Sequence, residues 1–132
     1  MVEVPDVAGT LPHHLGMTCE LVTPGHMTGH FRIEKHHMAS NGFLHAASVV
    51  ALADTACGLG AACALPDGAS GFTTVELKSN FLGTARDGTV NCEARMVHGG
   101  RATQVWDATA THAESGKVLA LFRCTQMILY PR

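Results

Sequence analysis

The sequence predicts an α+β domain in which one long central helix is wrapped by an antiparallel sheet of five to six strands. The first sign is residues 41–64, which hold no proline and one acidic or basic charge, Asp54. Ala, Ser, Cys and Gly dominate there, with Val49, Val50, Leu52 and Leu59 as the larger apolar members. That stretch is too long for a strand and too mixed for a membrane span, so it reads as a buried helix. The second sign is a set of alternating polar and apolar runs on both sides of it. The third is the turn chemistry between those runs, including Pro24-Gly25, Pro66-Asp67-Gly68 and Arg86-Asp87-Gly88.

Taken in order, residues 1–14 form an irregular arm broken by Pro5, Gly9 and Pro12, with a short helical turn at 9–15. Residues 17–24 and 26–34 make a hairpin about Pro24-Gly25. Residues 35–41 are a loop into the helix, which the Asn41-Gly42 turn opens. The small residues around the helix predict that other backbone packs closely against it. After the helix, residues 71–83 alternate, with Thr73, Val75, Leu77, Ser79 and Phe81 on one face. Thr74, Glu76, Lys78, Asn80 and Leu82 share the other. Residues 89–97 and 101–112 are strands joined by a tight turn at His98-Gly99-Gly100, and 117–129 follow the Glu114-Ser115-Gly116 turn. The expected order is two strands, the helix, then four strands in a meander. One sheet over one helix leaves a helix face and the sheet edges uncovered, so a homodimer or homotetramer is expected.

The 132 residues suit a single domain, 1–132. With 46% hydrophobic and 15% charged residues, the chain can bury a core and leaves little charge to cover its surface. A net charge of -2 without a basic run argues against a nucleic-acid partner. No secretory pattern opens the chain and no apolar run of spanning length lacks polar interruption, so a cytoplasmic protein without a membrane partner is expected. The five cysteines are odd in number and scattered among apolar positions, which reads as small buried hydrophobes. CxxC spacing is absent, and His13-His14, His36-His37 and His26 with His30 complete no three-ligand zinc set, so neither metal nor cofactor is expected.

A lone carboxylate inside an apolar helix is costly unless it is paired or used, which singles out Asp54. The bland alternative is a carboxylate held by a neighbouring hydroxyl such as Thr55. His45 stands at the helix entrance, nine residues earlier. At 3.6 residues per turn, nine residues make about two and a half turns, so the two side chains face opposite sides, roughly 13 Å apart along the axis. If both serve one site, two subunits must share it. Val50, Ala51, Cys57, Gly58 and Ala61 neighbour Asp54, mostly small, while Val49, Leu52, Ala56 and Leu59 are left for the sheet. The backbone N–H groups of Ala46 and Ala47 lie at the helix N-terminus, where a developing oxyanion is favoured. Arg86 and Arg101, in or beside turns, are candidates for phosphate contacts.

Gly42-Phe-Leu-His45-Ala-Ala followed by Leu52-Ala-Asp54 resembles the hotdog-fold acyl-CoA thioesterases of the phenylacetate-pathway (PaaI-like) type. Leu15-Gly16-Met17, the strand from Thr74 to Leu82, and Gly100-Arg101 resemble flanking segments of the same family. The resemblance implies the hotdog fold, an acyl-CoA substrate and a two-subunit site. In that site Asp54 acts as general base or nucleophile, His45 and the Ala46 N–H stabilise the oxyanion, and Thr74 holds the attacking water. Asn41, Gly42, Ala47 and Gly58 would line the substrate, with Arg86 and Arg101 at its phosphates. Two departures stand out: the family's His-Gly-Gly is His-Ala-Ala here, and its Asn six residues before the His is Ala39, with Asn41 only four before. The first departure favours an alternative, a non-catalytic acyl-CoA-binding hotdog protein. A hotdog dehydratase or hydratase ranks last.

Overall fold

Residues 3–132 are described by the structure, a computed structural model. Met1 and Val2, the start of the expected arm, lie outside the described residues. After the irregular residues 3–10, Leu11–His14 make one helical turn, α1. Strands β1 (Thr18–Thr23) and β2 (His26–Arg32) form the hairpin about Pro24-Gly25, where Gly25 takes a φ of 83°. A 3-10 turn at Lys35–His37 leads toward the long helix α2, Ala46–Cys63. Strands β3 (Gly71–Phe81), β4 (Thr89–Gly99), β5 (Thr103–His112) and β6 (Val118–Leu129) complete the chain.

All six strands join one antiparallel sheet in the order β1-β2-β4-β5-β6-β3. This corrects the expected four-strand meander. Only β4, β5 and β6 follow one another; β3 pairs with β6 at the far edge. The helix crosses the sheet before β3 begins, and residues 82–88 then carry the chain back beneath its entrance. There the Ala85 carbonyl accepts from the Leu44 N–H and the Gly88 carbonyl from the Ile33 N–H, which sets β4 beside β2. Connection length, not sequence adjacency, decides the neighbour.

The helix begins where the His45 side chain caps it, Nδ1 accepting from the Ala47 N–H at 2.9 Å, and ends just before Pro66. Its inner arc of Val49, Leu52, Ala53, Ala56, Cys57, Gly60 and Ala61 is buried against the sheet, whereas Leu59 is only half-buried. Trp106, Phe31, Met27, Leu52, Leu119 and Val90 are the large apolar side chains of the core. Each contributes roughly 1.5–3 kcal/mol when removed from water. At the helix glycines the close neighbours are large side chains, not the backbone that the small residues led one to expect. A Cβ on Gly60 would lie 2.5 Å from the Trp106 ring, and one on Gly58 would lie 3.5 Å from the Phe72 ring. The helix is narrow because the sheet sends aromatic rings into it. By length and composition α2, with a mean hydropathy of 1.5, could cross a membrane, but half of it is buried within the protein. All five cysteines are free, four of them buried and Cys19 half-buried.

Strand β3 carries a bulge between Thr74 and Glu76, leaving Val75 without a partner on β6. The extra residue reverses the alternation partway along the strand. Phe72 and Thr74 pair with the inward Ile128 and Gln126, while Leu77, Ser79 and Phe81 pair with the inward Cys124, Phe122 and Ala120. Thr74 therefore shares the helix side with Leu77 and Ser79, against the uninterrupted alternation expected from the sequence. Residues 73–78 are exposed along this outer strand.

Candidate functional site

The helix entrance is built first. His37 is buried: its Nδ1 accepts from the Glu34 N–H at 2.9 Å and its Nε2 lies 2.7 Å from the Leu15 carbonyl. Its carbonyl in turn accepts from the His45 N–H and the Ser48 hydroxyl. Two segments far apart in sequence thus hold His45 in its capping position. Asn41 makes a local turn, its Oδ1 accepting from the Phe43 N–H at 3.1 Å, and Gly42 takes a φ of 84° that a side chain would resist. The Arg86 guanidinium stacks over the Phe43 ring, 4.3 Å from its centroid.

At the cap itself one expectation needs correction. The Ala47 N–H is already committed to His45 Nδ1, so it is no oxyanion donor. The Ala46 N–H has no acceptor among the described residues and remains available. A backbone N–H can only donate, so Nδ1 is the accepting nitrogen. The neutral ring then carries its proton on Nε2, leaving a second donor at an exposed position. Together with the helix dipole, these two donors favour negative charge at the entrance.

Asp54 lies in the third turn, on the border between the buried arc and the open side. Its Oδ1 is buried with no hydrogen-bond partner among the described residues, so Thr55 does not hold it. Burial pushes its carboxyl above the ordinary carboxylate range. Val50, Ala51 and Gly58 beside it are half-buried, and Cys57 and Ala61 fully buried, so little bulk covers the carboxylate from the open side. The Phe72 ring lies over Gly58, 3.5 Å from where a Cβ would stand, which brings the start of β3 to the same flank of the helix. From that strand the Thr74 hydroxyl donates to Gln126 Oε1 at 2.6 Å.

Within one chain the predicted residues form two groups. Asp54, Gly58 and Thr74 lie on one flank of the helix body; His45, Ala46, Ala47, Asn41, Gly42 and Arg86 gather at its entrance. Arg101 belongs to neither. It sits in the β4–β5 turn, its guanidinium 5.0 Å from the Tyr130 ring, beside a hollow of about 450 Å³ lined by Ala64, Pro66 and Gln104 at the helix C-terminus. Arg86 and Arg101 thus lie at opposite ends of α2, whose 18 residues span about 27 Å. A hollow of about 530 Å³ lined by Glu20, His30, Asn91 and Glu93 opens on the outer face of the sheet, away from Asp54.

Sequence reasoning passed over the buried amides. Gln126 and Gln104 are fully buried; Gln104 donates to the Ala64 carbonyl and accepts from Trp106 Nε1, tying the helix end to the core. The signal was available, since each stands in the apolar phase of an alternating strand.

Comparison with known proteins adds a family. Residues 41–119 match the thioesterase superfamily. Over 84 residues the chain is 36% identical to the 1,4-dihydroxy-2-naphthoyl-CoA hydrolase of Listeria monocytogenes, covering 64% of this chain and 67% of that one. It is 27% identical to ComA2 of Bacillus subtilis over 124 residues, 94% of this chain and 98% of the relative. Among solved structures, a thioesterase family protein from Silicibacter pomeroyi superposes with a TM-score of 0.81 at 30% identity, over 91% of this chain and 89% of that one.

Proposed function

The chain belongs to the thioesterase superfamily, and from that premise we propose that it hydrolyses acyl-CoA thioesters in a site shared by two subunits. The observation that carries this reading is Asp54: a carboxylate with a buried, unpartnered oxygen, its pKa raised by burial. Such a group takes up a proton more readily than an exposed carboxylate, which suits a general base. As general base, Asp54 removes a proton from water while the water oxygen attacks the thioester carbon. The carbonyl oxygen takes up the negative charge and rests on the Ala46 N–H and His45 Nε2–H of the second subunit. The carbon–sulfur bond then breaks, the thiolate leaves and takes up a proton, and free acid and coenzyme A result. As nucleophile, Asp54 would instead form a mixed anhydride that water cleaves.

The half-turn offset that helix geometry gives between His45 and Asp54 supports the shared site. The outer strand β3, with Val75, Leu77 and Phe81 exposed, supplies an edge and apolar surface for a second copy. Arg86, exposed at the entrance over Phe43, is the candidate to meet a phosphate of the coenzyme. The Listeria relative is named for an aromatic acyl-CoA, which makes aromatic thioesters the first substrates to try.

The test is thiol release from short, long and aromatic acyl-CoAs by wild type and Asp54→Asn side by side. Release by wild type that falls by at least about a hundredfold in the variant supports the mechanism. Full activity in the variant would sink it. Tight acyl-CoA binding with no release from any substrate would move the reading to a binding protein, in keeping with Ala46 and Ala47 replacing glycines.

A further inference from the structure

We infer that Gln126 is a positioning residue that sets the hydrogen-bond polarity of Thr74 toward the attacking water. This rests on the proposed hydrolytic role of Asp54 and on the water-holding role that the family resemblance implies for Thr74. Gln126 lies in the inward phase of β6, between Cys124 and Ile128, with none of its surface exposed. A primary amide is expensive there unless its groups are bonded. Its Oε1 accepts from Thr74 Oγ1 at 2.6 Å, while Nε2 has only the Cys124 sulfur, 3.6 Å away. Its one strong side-chain hydrogen bond among the described residues is therefore to the hydroxyl beside the site.

That bond has a chemical consequence. A hydroxyl carries one proton and two lone pairs. With its proton drawn inward by Gln126, Thr74 presents only lone pairs to the outside, so toward water it is an acceptor. A water that donates one O–H to Thr74 and the other to Asp54 has its own lone pair directed away from both. That is the arrangement attack on a thioester carbon requires: the oxygen forms the new bond to carbon, and the proton facing Asp54 passes to the carboxylate. Without Gln126 the Thr74 hydroxyl is free to rotate and donate its proton to the water, which would spend a lone pair of the water on Thr74 and leave its O–H toward Asp54 unoriented. The bulge at Val75 is part of the device, since it places Thr74 opposite Gln126 on the helix side.

The experiment is a double-mutant cycle on kcat and KM, using Gln126→Met and Gln126→Asn, each alone and with Thr74→Val, on whichever acyl-CoA the wild type cleaves. Thermal melting reports folding for every variant. The expected result is a loss in kcat of about tenfold to a hundredfold for either Gln126 variant, with KM changed by less than about twofold. Adding Thr74→Val to a Gln126 variant should then cost little more than Thr74→Val alone, because both act on one water. Thr74→Ser, which keeps the hydroxyl, should retain most of the rate. Losses that multiply, a change confined to KM, or failure of both Gln126 variants to fold would overturn the inference. A wild type that releases no thiol defeats the hydrolytic reading itself, a different and recognisable result.

Discussion

Mixed dimers of two inactive variants offer a direct trial of the shared site. His45 caps α2 and Asp54 lies nine residues on, which ideal helix geometry puts half a turn out of phase and roughly 13 Å along the axis, so the proposed mechanism calls for two chains at one thioester. In a two-fold dimer each site then takes Asp54 from one subunit and His45 from the other. Homodimers of His45→Ala or of Asp54→Asn contain no complete site and should each fall to about 1% of wild-type activity or less. When the two variants are unfolded together and refolded in equal amounts, random pairing makes about half the dimers mixed. Each mixed dimer holds one intact site of two, so activity should recover to about a quarter of wild type. The assay is thiol release after co-refolding, with differently tagged subunits to verify the mixed species. Recovery no greater than the sum of the separate variants, in a sample shown to contain mixed dimers, would refute the reasoning.

Asp54→Asn should also stabilise the protein. A carboxyl whose folded-state pKa is raised by burial contributes stability that is fully present below its unfolded-state value and is lost as pH rises through the folded-state value. The melting curves of wild type and Asp54→Asn should therefore coincide in acid and separate toward neutral pH, the variant melting higher; a constant offset at every pH would contradict this. The two helix glycines should respond with opposite signs. In Gly60→Ala the new Cβ sits 2.5 Å from Trp106 and 2.9 Å from Met27, so an overpacking cost of about 1–3 kcal/mol outweighs a helix-propensity gain of about 1 kcal/mol, and the urea midpoint should fall. In Gly58→Ala the nearest atom is 3.5 Å away, so stability should rise by up to about 1 kcal/mol, with any cost appearing in KM because the methyl lies one turn from Asp54. Arg86→Ala should raise KM for an acyl-CoA by about tenfold while leaving KM for a thioester without the nucleotide unchanged; equal effects on both would remove Arg86 from phosphate binding.

The residues fall into two kinds by where their information lies. The extent of α2, the place of His45 at its start and the β1–β2 hairpin were legible in the chain itself. Helix periodicity, capping and turn chemistry are settled within a few neighbouring residues. The isolation of Asp54 was legible for the same reason, since a single charge in a small apolar run is conspicuous before any fold is known.

Tertiary structure alone decided that β3 lies beside β6 and that a bulge turns Thr74 toward the helix. It also decided that Gln126 receives the Thr74 hydroxyl, that the Ala47 N–H is spent on the cap, and that Arg101 lies at the opposite end of α2 from Arg86. Each depends on contacts between segments distant in sequence or on competition for one donor at short range. A strand's alternation names two faces without saying which is inward, and one inserted residue reverses the answer. Local rules therefore determined the elements of this protein. Which strands pair, in what register, and which polar groups remain unbonded were decided by the packing of the whole chain, because register and hydrogen-bond partners are long-range choices that no short stretch of sequence contains.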